Sequence, residues 1–113
     1  MPDTTDAQTQ TSGDDWTDLC NVNEVPESGG KFVAVKSRAL AIFRQQGGVQ
    51  VLDDTCPHAG GSLASGFIRE GVVYCPWHGW PFRINDGKCP DNENICVKRY
   101  EAKLDGDRVK AKL

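Results

Sequence analysis

"CPHAGGSL", residues 56–63, returns in altered form as "CPWHGW", residues 75–80, and the two stretches hold both histidines of the chain. Each begins Cys-Pro and places a histidine close behind its cysteine: Cys56 with His58, Cys75 with His78. The pattern is C-x-H, sixteen residues, then C-x-x-H. Thiolate and imidazole are soft to borderline metal ligands, so four of them in two tight loops predict a metal centre built from Cys56, His58, Cys75 and His78. A structural zinc ion also takes two cysteines and two histidines, normally as one C-x(2–4)-C pair and one H-x(3–5)-H pair. Here each loop supplies one of each kind. Mixed loops suit a centre with two different ends, one metal held by both thiolates and the other by both imidazoles. In an extended C-x-H segment, residues i and i+2 point the same way, and the longer imidazole reaches the farther metal.

Outward from these loops the chain changes texture. Between Thr55 and Asn94 it carries Gly60, Gly61, Gly66, Gly71, Gly79 and Gly87 together with Pro57, Pro76, Pro81 and Pro90. Such a segment turns sharply and packs backbone closely, with little aliphatic core of its own. It reads as a small subdomain, about residues 55–94, inserted into a β framework, with "FIREGVVYC" as a hairpin carrying the two loops to its ends. Before it, "KFVAVK" and "ALAIFR" read as strands separated by "SR", punctuated by Gly29-Gly30 and Gly47-Gly48. After it, "YEAKL" and "RVKAKL" flank Asp105-Gly106-Asp107, a hairpin signature. Val109, Ala111 and Leu113 there alternate with Arg108, Lys110 and Lys112, one face for a core and one for water. No stretch holds a helical period, so the expected fold class is all-β. Residues 1–15 contain almost nothing to bury, which predicts a disordered tail ahead of a domain over 16–113.

Composition narrows the function. The chain has 113 residues and a net charge of -3. An acidic balance of this kind argues against a nucleic acid or an anionic membrane as partner, because either would select clustered Lys and Arg. No apolar run is long enough for a membrane-spanning helix, and no basic start leads into an apolar segment, so the expected location is cytoplasmic. The five cysteines are an odd number, which fits thiolates kept reduced for metal better than a disulfide scaffold.

"CPHAGG" with "CPWHGWPF", followed by Gly87, resembles the soluble Rieske ferredoxin family, and the resemblance covers Trp16 to Leu113. That family includes ferredoxins of aromatic-ring dioxygenases and the small subunit of assimilatory NAD(P)H nitrite reductase. The resemblance implies a β-barrel or β-sandwich base with a rubredoxin-like cluster-binding subdomain. It implies one 2Fe-2S cluster, with Cys56 and Cys75 on one iron and His58 and His78 on the other. It implies a one-electron carrier with no catalytic site of its own, between an NAD(P)H-dependent flavin reductase and a terminal oxygenase or a nitrite reductase large subunit. A zinc-bound structural or interaction module using the same four ligands is the alternative, and colour separates the two: zinc protein is colourless and a Rieske cluster is reddish brown. Respiratory Rieske proteins carry an extra cysteine in each loop, where this chain has Gly61 and Trp77. They also carry a serine and a tyrosine whose hydroxyls donate to sulfur, where this chain has Trp80 and Phe82. Fewer donors to sulfur lower the reduction potential, toward the low edge of the Rieske range at about -150 mV.

The remaining residues divide by chemistry. Cys20, Cys89 and Cys96 lie outside the motif and are expected to behave as small hydrophobes. Trp77 and Trp80 flank His78, where they shield the cluster or simply pack. Asp53, Asp54, Asp91 and Glu93 are candidates for an acidic rim facing a basic patch on a reductase. A terminal oxygenase needs a second iron held by two histidines and a carboxylate, and no histidine is left for one. No G-x-G-x-x-G fingerprint or P-loop is present either.

Overall fold

A computed structural model describes residues 16–45, 48–57, 60–77 and 79–113, with the side chain of Glu93 excepted. The expected disordered tail, both histidines and the Glu93 carboxylate therefore lie outside the described residues. Within them the chain forms twelve strands in four antiparallel sheets and two short 3-10 turns, with no α-helix, in agreement with the all-β expectation. No helix among the described residues is long and apolar enough to cross a membrane.

The central sheet is built from β2 (Gly30–Val35), β3 (Arg38–Gln45), β4 (Gly48–Asp53) and β10 (Arg99–Tyr100), in the order β10-β4-β3-β2. Its middle strand explains why "ALAIF" is a continuous apolar run rather than an alternating one. Leu40 and Ile42 point into one core with Val51, Tyr100, Val109 and Ala111, and Ala41 and Phe43 point into a second with Cys56, Cys75 and Phe82. A strand buried on both faces has no position left for a polar residue. The four side chains from Leu40 to Phe43 are fully buried.

Over the first face lies a sheet of β1 (Trp16–Asn21), β11 (Ala102–Asp105) and β12 (Arg108–Lys112), in the order β1-β12-β11. Here the expected alternation holds, with Val109 and Ala111 buried and Lys112 exposed. The β11–β12 hairpin closes through Gly106, at φ +64, with Asp105 paired to Arg108. The β2–β3 hairpin turns through Lys36 and Ser37, at φ 52 and 63, and not through Ser37-Arg38 as the sequence reading placed it. Two consecutive left-handed residues match the strand twist, the type I′ geometry that Asn-Gly usually provides. Lys-Ser carries no such signal, so the turn sits one residue earlier than its composition indicates.

The second face of the central sheet receives the segment between β4 and β10. It holds β5 (Phe67–Arg69), β6 (Val72–Tyr74) and β7 (Pro81–Arg83) in one sheet and β8 (Lys88–Cys89) with β9 (Asn92–Cys96) in another. "FIREGVVYC" forms the expected hairpin, turning through Glu70 and Gly71 at φ 53 and 78. Gly87 is required where β9 ends: at φ +76, an added Cβ would lie 2.3 Å from the carbonyl oxygen of Val97. The Gly87 carbonyl accepts from Val97 N–H at 2.8 Å and its own N–H donates to Arg83 O at 2.7 Å, tying β9 back to β7.

Candidate metal centre

The two cysteine loops are the same backbone device used twice. In the first, Cys56 N–H donates to Gly61 O at 2.9 Å and Gly60 N–H donates to Cys56 O at 2.8 Å. In the second, Cys75 N–H donates to Trp80 O at 2.9 Å and Gly79 N–H donates to Cys75 O at 2.8 Å. Pro57 and Pro76 follow the cysteines, and Gly60 and Gly79 close the turns at φ +78 and +73. The left-handed closing residue accounts for a glycine at the same place in both stretches. The flanking pairs correspond as well: Thr55 bridges Ser62, and Tyr74 pairs with Pro81. The histidines differ by one place in these matched loops, +2 from Cys56 and +3 from Cys75. Their positions lie outside the described residues.

The loops meet across Gly61. An added Cβ there would sit 3.0 Å from Cys75 Sγ and 3.1 Å from Cδ1 and Cγ of Trp77. The missing side chain lets the first loop close onto the second, leaving both thiols on one side of the central sheet. Cys56 and Cys75 are each 1 % exposed, packed in one core with Leu63, Val73, Phe82 and Ile84. Buried thiols from twin loops, brought together by a close glycine contact, fit the thiolate end of a cluster held by four side chains. Among the described residues no group of three or more His, Cys, Asp or Glu side chains is placed to hold a metal ion, and His58 and His78 lie outside them.

The neighbouring residues separate into three kinds. Phe82 is fully buried in the same core as the two thiols, and Trp80 packs against it half-buried. A cavity of about 400 Å³ lies beside Trp80, lined by Pro57, Asn94, Ile95 and Cys96, and one of about 260 Å³ borders it together with Cys89 and Asp91. Trp77 is 65 % exposed, so its ring covers Gly61 from outside and is no part of the core. Of the extra cysteines, Cys20 and Cys89 are buried as expected, and burial, followed by the Glu24 carboxylate, pushes the Cys20 thiol pKa up. Cys96 is exposed, contrary to the expectation, because its cross-strand partner is the exposed Lys88 and it shares that outer face.

The acidic rim also needs correction. Asp91 is exposed, but Asp54 is only 4 % exposed and faces inward, where its Oδ1 accepts from Ser62 Oγ at 2.9 Å and from Ala64 N–H at 2.8 Å. Asp53 is half-buried and accepts the Tyr100 hydroxyl at 2.6 Å. The Asp54 carboxylate is engaged inside the fold and is no part of an exposed rim. Sequence reasoning missed Asp54 as a structural acceptor, although its place two residues before Cys56 was visible.

Comparison with known proteins places this geometry. The family model of the Rieske [2Fe-2S] domain matches residues 15–101. The ferredoxin component of the alkene monooxygenase system from Xanthobacter autotrophicus is 27% identical over 96 residues, which span 84% of this chain and 79% of that one. Among solved structures, the Sphingomonas yanoikuyae B1 ferredoxin aligns with a TM-score of 0.76 and 28% identity, over 86% of this chain and 97% of that chain. A protein assigned as the small subunit of an NADH-dependent nitrite reductase from Mycobacterium tuberculosis aligns at 0.75 and 25% identity, over 85% and 92%. Some matching proteins are much longer: this chain spans 18% of a cholesterol 7-desaturase from Ciona intestinalis.

Proposed function

The chain belongs to the Rieske [2Fe-2S] domain family, and from that premise we propose that it is a ferredoxin, relaying single electrons from an NAD(P)H-dependent flavin reductase to a terminal oxygenase or a nitrite reductase large subunit. The observation that carries the reading is the pair of matching loops, each presenting a buried cysteine, on a fold that aligns over 97% of the Sphingomonas yanoikuyae B1 ferredoxin.

The family's cofactor is a Rieske [2Fe-2S] cluster, which when bound takes up and gives back one electron. In this reading Cys56 and Cys75 hold one iron as thiolates, and His58 and His78 hold the other through neutral imidazole. The chain's own contribution is threefold. The twin knuckles fix both cysteines by backbone hydrogen bonds, so their positions do not depend on mobile side chains. Phe82, Leu63 and Ile84 exclude water from the thiol end, which lowers the dielectric around any charge placed there. Trp80 and Phe82 offer no hydroxyl, which supports a potential near the low edge of the Rieske range, at about -150 mV.

The test is chemical analysis and EPR of protein produced with ample iron, together with the single variants His58→Cys and His78→Cys. The expected result is two irons and two labile sulfides per chain, a reduced-state signal of mixed Cys/His ligation, and a lowered potential or a lost cluster in either variant. A thiolate adds a negative charge beside the iron that accepts the electron. One zinc and no sulfide would overturn the reading. For the partners, co-purification of a flavoprotein reductase and of an oxygenase or sirohaem subunit distinguishes the two systems.

A further inference from the structure

The twin loops are held unequally. The second is the end of a hairpin: Tyr74 pairs with Pro81, Val73 with Phe82 and Val72 with Arg83, so a ladder sets the separation of its two ends. Among the described residues the first is held by the isolated bridge Thr55–Ser62, after which the chain leaves through the 3-10 turn Leu63–Ser65. One bridge does not fix a register in the way a ladder does.

We propose that Asp54 is the positioning residue that closes the first ligand loop. Its main chain and side chain both cross the mouth of that loop. Asp54 O accepts from Leu63 N–H at 2.7 Å, and its own N–H donates to Ala39 O at 2.9 Å, anchoring the junction to the start of β3. Its carboxylate accepts from Ser62 Oγ and from Ala64 N–H. Ser62 is the last residue of the loop, and Ala64 lies in the 3-10 turn that follows. Ala64 also abuts Gly30, where an added Cβ would lie 2.8 Å from the Ala64 Cα, so the turn is wedged against β2 on its far side. The carboxylate thus replaces the ladder that the first loop lacks, and it places Cys56 and Gly61 at the height where Gly61 meets Cys75. A buried carboxylate with two donors is costly to disrupt, because removing it takes the acceptor from the part-buried Ala64 N–H.

The proposal rests on Cys56 being a cluster ligand, and the experiment separates the two claims. Asp54→Ala, Asp54→Asn and Ser62→Ala are compared with the unmodified protein, all cluster-loaded. The readouts are the rate of cluster loss on mild heating, the reduced-state EPR line shape, and exchange of the Ala64 amide. Asp54→Asn keeps an acceptor and removes the charge, so it should lose the cluster within about twofold of the wild-type rate and keep the wild-type line shape. Asp54→Ala should lose it at least tenfold faster, with a broadened or shifted EPR signal and faster Ala64 exchange, and Ser62→Ala should fall between. A purely structural role would lower the unfolding temperature without altering the EPR signal of molecules still loaded, and that result would overturn the proposal. Equal cluster loss in the Asn and Ala variants would overturn it too, by assigning the effect to charge. If Asp54→Ala does not fold, wild-type behaviour of Ser62→Ala alone would refute it. Absence of a cluster from the wild-type protein would instead refute the function reading.

Discussion

By the resemblance of the loop sequences, Gly61 and Trp77 stand where respiratory Rieske proteins carry an extra pair of cysteines, and the structure sets the distance between them. The Cβ of a side chain built at residue 61 would lie 3.1 Å from Trp77 Cγ. A cysteine at 77 in the tryptophan's rotamer would put its Sγ near that Cγ, and in a disulfide the Cβ of one partner lies about 3 Å from the sulfur of the other. The double variant Gly61→Cys, Trp77→Cys is therefore expected to form an interloop disulfide. Such a bridge encloses a loop of about 15 residues, for which the chain-entropy estimate is about 3 kcal/mol. Against this stands crowding, since the same Cβ would lie 3.0 Å from Cys75 Sγ, and overpacking costs about 1–3 kcal/mol. The net gain is about 1 kcal/mol, which raises the melting temperature of a domain this size by about 4–8 °C. The assay compares the double variant before and after a disulfide reductant, with thiols counted after unfolding and removal of iron. The wild-type chain has five; the oxidised variant should show the same number and the reduced variant two more. Two additional thiols under oxidising conditions, or an oxidised form less stable than its own reduced form, would refute the loop apposition described above.

Two other outcomes follow from the fold. Gly66→Ala would bring a Cβ to 2.1 Å from the Tyr74 carbonyl oxygen, a backbone atom that cannot move aside, so urea denaturation should show a loss of at least about 3 kcal/mol. The Tyr100 phenol is pushed above its ordinary value of 10.0 by burial first and by its hydrogen bond to Asp53 next. Its folded pKa exceeds the unfolded one, so the stability it contributes is fully present below pH 10 and declines as pH rises through the folded value. Tyr100→Phe should flatten that alkaline decline in a stability–pH profile, and an unchanged profile would remove Tyr100 from its cause.

The sequence carried the fold where residue type and backbone geometry coincide, and lost it where they part. Alternation in "RVKAK" reported burial on one face, because burial is what selects those residue types, whereas "ALAIF" was legible as a strand and its two buried faces emerged only from the packing. The glycines at 60 and 79 were legible as turn formers, since left-handed φ values favour glycine. Lys36-Ser37 was not legible, because strand pairing on either side drives an ordinary dipeptide into that same region. Cys96 was misread because a cysteine has no reliable preferred face; its exposure comes from the β8–β9 register.

Asp54 shows why the carboxylates were the hardest part to read. In sequence it belongs with Asp53, Asp91 and Glu93, all acidic, all near the ligand loops, and all consistent with a solvated rim. What distinguishes it is a pair of donors, one from a hydroxyl eight residues on and one from a backbone amide ten residues on, brought back by the Thr55–Ser62 bridge and the 3-10 turn. No propensity or spacing rule reports a non-local backbone donor, because the donor exists at every residue except proline and only the fold chooses which one arrives. Composition could therefore single out the candidate ligands Cys56, His58, Cys75 and His78, whose chemistry is scarce in this chain, while the groups proposed to position them are common residues defined by contacts. A loop with a strand ladder behind it needs no such carboxylate, and the second loop has that ladder. A single bridge stands behind the first loop, and there the acidic residue nearest Cys56 faces inward and spans the loop's mouth with its carboxylate.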